Sequence, residues 1–186
     1  MAPKVKITKK DIIETAISLV RKEGSEAVNA RRIAGELGCS TQPIFSNFLT
    51  MDELHSALIE DAYEIYFSFL QNEAESGKYP EYKAFGMAYT RFAREEKELF
   101  KLLFMSDKAT REKMPSTDFN ASIEMIMRAN DVSHERAMLM HLEMWSCVHG
   151  IGTMLATSYL DLDEELISQI LSDVYQGMRV RITKEK

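Results

Sequence analysis

Residues 29–48 run N-A-R-R-I-A-G-E-L-G-C-S-T-Q-P-I-F-S-N-F, from Asn29 to Phe48, and their pattern decides the fold. Ile33, Leu37, Cys39, Ile44 and Phe48 are the apolar positions that pack two short helices against each other. Ala34 and Gly38 are small and four apart, so they share a helix face that a second helix can cross closely. Gly38 also suits the left-handed backbone that ends a helix. Ser40 is expected to cap the next helix through its side-chain oxygen. Pro43 falls in the first turn of that helix, where no intrahelical N–H bond is lost. Two helices joined in this way form a helix-turn-helix, whose second helix enters a DNA major groove. An ordinary helical hairpin shares the pattern, so the flanks carry the decision.

Upstream, Thr8 and Asp11 make a capping-box pair with Asp in the place of Glu. Ile12, Ile13, Ala16, Ile17, Leu19 and Val20 follow as a helical stripe, and Gly24 ends it. Asn29 caps the next helix and sets Arg31 and Arg32 near its start, beside the turn, where phosphate contact is favoured over plain solvation. The third helix, about Thr41 to Asn47, is the candidate reader. By residue type, Gln42 and Asn47 can bond adenine, Thr41 and Phe45 can touch a thymine methyl, and Ser40 and Ser46 are further polar candidates. Lys10 joins the cations of this head. Residues 1–7, with Lys4 and Lys6, form a short arm able to lie along phosphates or in a minor groove.

Downstream, Thr50 and Glu53 open a helix from residue 51 or 52 to about 75, with Leu54, Ala57, Leu58, Ala62, Ile65, Tyr66, Phe69 and Leu70 recurring at helical spacing. Ser76-Gly77-Lys78 closes it, and Pro80 starts another. Two helices are expected between Pro80 and Met105, joined near Arg94–Glu96. A polar connection with Met114-Pro115 spans 106–118, and a helix runs from about 118 to 130. Ser133 caps a long helix to about Tyr159 that is apolar on more than one side, and acid at 161–165 starts a last helix. Strand signals are poor, there is no internal repeat, and the expected fold is all-α. Residues 1–50 form the head and 51–186 the body.

Residues 1–50 hold eight Lys/Arg against five Asp/Glu, and the rest fifteen against twenty-four, within a net charge of −6. A basic head on an acidic body can still meet a polyanion. Cys39 and Cys147 lie far apart in sequence, which predicts no disulfide and a reducing compartment. No apolar run has the length of a membrane span and no signal core follows the N-terminal lysines, so a cytoplasmic protein is expected.

The ordered set Thr8, Ile12, Ala16, Gly24, Ile33-Ala34, Leu37-Gly38, Ser40, Ile44-Phe45, Phe48 and Leu54 resembles the TetR family of transcriptional regulators. Trp145-Ser-Cys-Val-His149-Gly150 is similar to the W-x-x-x-H-G motif of one C-terminal subgroup. The resemblance implies about nine helices: a three-helix DNA-binding head and a larger domain that binds a small effector. It also implies a homodimer, a four-helix bundle through about 133–159 and 163–181. Three positions depart from the family pattern L-Y-x-H-F-x-x-K. Phe45 stands for the Tyr, Asn47 for the His and Met51 for the Lys, which removes a hydroxyl and a cation from usual phosphate contacts.

Tyr66, Phe69, Phe92, Phe104, Met127, Trp145 and His149 are candidates for an effector pocket of apolar or aromatic taste, although core packing explains any one of them. His134, His141 and His149 share one helix, but seven residues of helix span about 10 Å, too far for a common metal. No phosphate loop, zinc signature, nucleophile elbow or paired-Cys motif occurs, so no cofactor, metal or catalytic residue is assigned. The resulting expectation is a regulator that binds a palindromic operator in double-stranded DNA, a repressor relieved by a small molecule. The alternative is a TetR-like ligand-binding or adaptor protein with weak or lost DNA binding, and a small helical enzyme ranks far behind.

Overall fold

The computed structural model describes residues 7–106 and 119–184, the side chains of the last three excepted. Nine α-helices occur among these residues: α1 (Lys9–Glu23), α2 (Ala30–Glu36), α3 (Gln42–Asn47), α4 (Met51–Ser76), α5 (Glu81–Glu95), α6 (Lys97–Phe104), α7 (Phe119–Asn130), α8 (His134–Ala156) and α9 (Glu164–Lys184). A one-turn 3-10 helix lies at Ser25–Ala27, and no strand occurs among the described residues. The expected polar connection after Ser106, with Met114-Pro115, and the arm lysines Lys4 and Lys6 lie outside the described residues.

The chain divides into two compact units, and the division falls inside α4, between Ile65 and Tyr66. The described part of the first unit is 7–65 with 96–106; that of the second is 66–95 with 119–184. Packing therefore follows neither the order of the chain nor a cut at residue 50, which α4 adjoins directly.

In the first unit, Thr8 and Asp11 form the expected reciprocal capping box at the start of α1. All six residues of the α1 stripe are buried, because apolar positions at three- and four-residue spacing line one side of a helix. Ile33, Ile44, Phe48, Leu54 and Leu58 complete this core. α6 also belongs to this unit: it packs on α1 with Leu99, Phe100 and Leu103 fully buried. Arg21 donates to both carboxylate oxygens of Glu96, at 2.8 and 2.6 Å, a bidentate pair that raises the guanidinium pKa through the hydrogen bonds themselves. At the head of α4, Thr50 caps the Glu53 N–H at 3.1 Å, while the Glu53 carboxylate reaches back to the N–H of Leu49 at 2.7 Å.

The turn between α2 and α3 corrects two expectations. Ser40 does not cap α3. The helix starts from Thr41, whose carbonyl accepts from Ile44 and Phe45, and no side chain caps it. Gly38 is not at a helix crossing either, since nothing lies within 4 Å of where its Cβ would be. Its role is backbone conformation, with φ at +63°, a region that costs a side-chain-bearing residue about 1 kcal/mol or more. Gly38→Ala should thus lower unfolding free energy by about 1 kcal/mol, read as a shifted urea midpoint at constant slope. A loss of several times that size would mean that the methyl group meets packed atoms.

In the second unit, α5 packs against α8 and α9, and α7 packs against α8. Gly86 makes the three-helix junction close: a Cβ there would sit 3.1 Å from Leu171 Cδ1 and 3.4 Å from Val148 Cγ2. Ser133 caps α8. That helix stops at Ala156, short of the expected Tyr159, because Ser158 turns left-handed at φ +57°. Asp163 caps α9 by accepting from the Leu166 N–H at 2.7 Å, which accounts for the acidic run. No described helix is long and apolar enough to cross a membrane.

Candidate functional site

The head presents two short helices at right order and spacing for a helix-turn-helix. Asn29 Oδ1 accepts from the Arg32 N–H at 3.0 Å and so starts α2, which places Arg31 and Arg32 in its exposed first turn. Arg32 lies 2.5 Å from Glu23 Oε1, and Lys10 lies 3.7 Å from Glu14. Such exposed pairs are weak, so both cations can exchange partners. Arg31 carries no ion pair to a described residue.

On α3, Gln42 and Phe45 point outward, with Phe45 46% exposed, and Ser40 is exposed just ahead of them. The remaining reader candidates are tied down. The Ser46 hydroxyl donates to the Gln42 carbonyl at 2.9 Å. The Asn47 amide donates to the carbonyls of Pro43 and Ile7, at 2.8 and 3.3 Å, which leaves its oxygen as the free function. Thr41 is half-buried. Leu49, 86% exposed just past α3, was not anticipated; an apolar residue with nothing to pack on leaves no signal in a local pattern. A surface groove of about 350 Å³ between α1 and α2 carries Asp11, Glu14 and Glu36 on its walls, a sign of charge that repels phosphate.

In the second unit, five of the seven pocket candidates join one aromatic chain. Phe92 is fully buried, with ring centres 5.3 Å from both Phe69 and Tyr66. Tyr66 meets Tyr89 edge-on at 6.0 Å, the Tyr89 hydroxyl lies 2.9 Å from His149 Nδ1, and Trp145 stacks on His149 at 4.9 Å. Met127 is half-buried on α7, outside that chain of rings, and Phe104 belongs to the first unit, where it contacts Tyr63 and Phe100. Trp145 is 40% exposed. Packing thus accounts for Phe92.

A polar group that the sequence pattern did not single out lies elsewhere in this unit. His141 is buried, with Nδ1 3.0 Å from the Tyr82 hydroxyl. Asn130 donates to the Tyr175 hydroxyl at 2.7 Å and to the Ile126 carbonyl at 2.8 Å. Burial, with Tyr175 beside it, keeps the Tyr82 phenol protonated well above its ordinary range, and burial lowers the His141 pKa from about 6.5. Below that value the unfolded chain takes up a proton that native His141 resists, so stability is complete above pH 6.5 and declines as pH falls. Urea midpoints at pH 7.5 and 5.5 should therefore differ less in His141→Phe than in the natural chain; equal differences would mean that His141 protonates freely in the native state.

Both cysteines are free and half-buried. Among the described residues no three His, Cys, Asp or Glu side chains are placed to hold a metal ion.

Residues 82–174 match a family described as tetracyclin repressor-like, C-terminal domain. No curated protein matches the chain. A protein with unknown function from Rhodococcus sp. RHA1 has the same fold, with a TM-score of 0.73 at 20% identity, over 95% of this chain and 98% of that one. A TetR-like transcriptional regulator from the same organism gives 0.66 at 12% identity, over 95% and 97%. The multidrug binding protein EbrR, complexed with imidazole, gives 0.61 at 18% identity, over 89% and 93%. With half of its length matched by the family's C-terminal domain and a helix-turn-helix ahead of it, the chain belongs to the TetR family of transcriptional regulators.

Proposed function

We propose that the protein is a dimeric, sequence-specific DNA-binding repressor released by a small effector. The observation that carries this reading is the head: α2 with exposed Arg31 and Arg32, and α3 with exposed Gln42 and Phe45. Arg31 and Arg32 meet phosphates, Asn29 sets their helix, and the start of α3 enters the major groove. α8 and α9 of two copies form the dimer, which sets the distance between two recognition helices. Half-sites one helical turn apart, or a multiple, are matched. An effector that fits only one separation of the heads draws the population away from DNA.

Selection of duplexes from a random pool tests this reading. A palindrome should be enriched, and its binding should weaken steeply with salt. Arg31→Glu should lower the slope of log affinity against log salt by about one unit per head, with the fold intact by circular dichroism. An unchanged slope would remove Arg31 from the phosphate contacts.

A second reading, a ligand-binding or adaptor protein with weak DNA affinity, is favoured by Phe45 and Met51, which offer phosphates neither hydroxyl nor charge, and by the pairing of Arg32 with Glu23. A folded dimer that enriches no sequence supports it.

A further inference from the structure

We propose that Phe45 is a base-reading residue whose ring packs on the C5 methyl of a thymine, within two base pairs of an adenine held by Gln42. The proposal rests on the DNA-binding reading above and names the operator chemistry that α3 selects.

Three observations carry it. The first is what α3 leaves available. Ser46 gives its hydroxyl hydrogen to the Gln42 carbonyl, and Asn47 commits its amide to the carbonyls of Pro43 and Ile7. Thr41 is half-buried and Ile44 fully buried. Gln42 and Phe45 are both exposed and three residues apart, so they share the outward face of the helix.

The second is the chemistry of Phe45. Its ring is 46% exposed and offers a phosphate neither hydroxyl nor charge. The described part of the first unit has three exposed large apolar side chains, and two of them are Phe45 and Leu49, just past α3. An exposed ring gains free energy only when an apolar partner covers it. Such partners are scarce on DNA bases. In the major groove the base edges offer one, the C5 methyl of thymine, and the minor groove offers none. Arg31, with Lys10 and Arg32 in weak surface pairs, gives this head the charge that attracts a duplex.

The third is a fixed platform. Ile44 seats α3 in the core, and Asn47 ties its end to Ile7. The Leu49 N–H is held by Glu53 at 2.7 Å, and the other oxygen of Glu53 lies 3.3 Å from Lys9 Nζ. A side chain on a backbone so held meets DNA without first ordering a loop. Gln42 and Phe45 stand about 4.5 Å apart along the helix axis, against about 3.4 Å between base pairs, so they meet neighbouring pairs. Glutamine bonds adenine at N6 and N7. The half-site therefore holds an adenine and a thymine within two base pairs.

The test takes the palindrome that the full chain enriches from a random pool. Each thymine of one half-site is replaced in turn by deoxyuridine, which removes the methyl and leaves base pairing intact. At one thymine the replacement should weaken binding about fourfold, the effect of one buried methyl. The ratio should be equal at two salt concentrations, since a methyl contact releases no counterion. Phe45→Ala should bind both duplexes equally, with helix content unchanged by circular dichroism; a merely structural role would weaken both and leave the ratio. Gln42→Ala should keep the ratio and lose the preference for the nearby adenine. A palindrome without thymine, or no thymine whose methyl matters, would overturn the proposal and leave the regulator reading standing. So would a methyl effect that survives Phe45→Ala or that Leu49→Ala removes instead, or an adenine preference unchanged in Gln42→Ala. A folded dimer that enriches no duplex would overturn both.

Discussion

A variant carrying Met138→Glu and Leu142→Glu should run as a monomer and lose operator affinity by about a hundredfold or more. Met138, Leu139, Leu142 and Trp145 are 43, 49, 47 and 40% exposed on α8, with Leu166 and Val180 exposed on α9. Met138, Leu142 and Trp145 succeed one another at four and three residues, so they share a helix face. Contiguous apolar surface of this kind marks an interaction site. In a two-fold dimer each introduced carboxylate would appear twice across the same patch, buried and uncompensated. Operator binding falls with it, because two linked heads engage the second half-site at high effective concentration. Light scattering reads the mass and a salt-matched titration reads the affinity. A dimer of unchanged stability would move the interface away from this face of α8.

Phe92→Ala should cost about 3–5 kcal/mol of unfolding free energy. Phe92 is completely buried, with Tyr66 and Phe69 packed on its ring. Removing it forfeits the transfer free energy of the ring and leaves a cavity that surrounding helices refill only in part. Urea unfolding measures the change. A cost below about 1 kcal/mol would mean that the site collapses around the smaller residue, with Tyr66 and Phe69 taking up the space.

Local rules determined most of the helices. The Thr8–Asp11 box, the Asn29 and Ser133 caps, Gly24, Gly38 and Gly77 as stops, and the stripes of α1 and α4 are features of a few adjacent residues, and a few adjacent residues suffice to read them. The helix-turn-helix and the all-α class were legible for the same reason. Ser40 misled because any Ser ahead of a Pro-containing turn resembles an N-cap, whereas the cap depends on a backbone torsion that composition does not reveal.

What only the tertiary structure decided is which surfaces meet. α6 lies some fifty residues beyond the head in sequence, yet its Leu99, Phe100 and Leu103 complete the core that α1 begins, and Glu96 holds Arg21. The same step turned Trp145 outward and tied Asn47 to Ile7 and Pro43. It also drew Tyr82, Asn130, His141 and Tyr175 together from four helices. The physical reason is one of range. Caps, stops and amphipathic stripes arise from bonds within a turn or two of helix, while partner choice between helices depends on side-chain volumes and buried polar atoms from distant segments, which no single segment encodes.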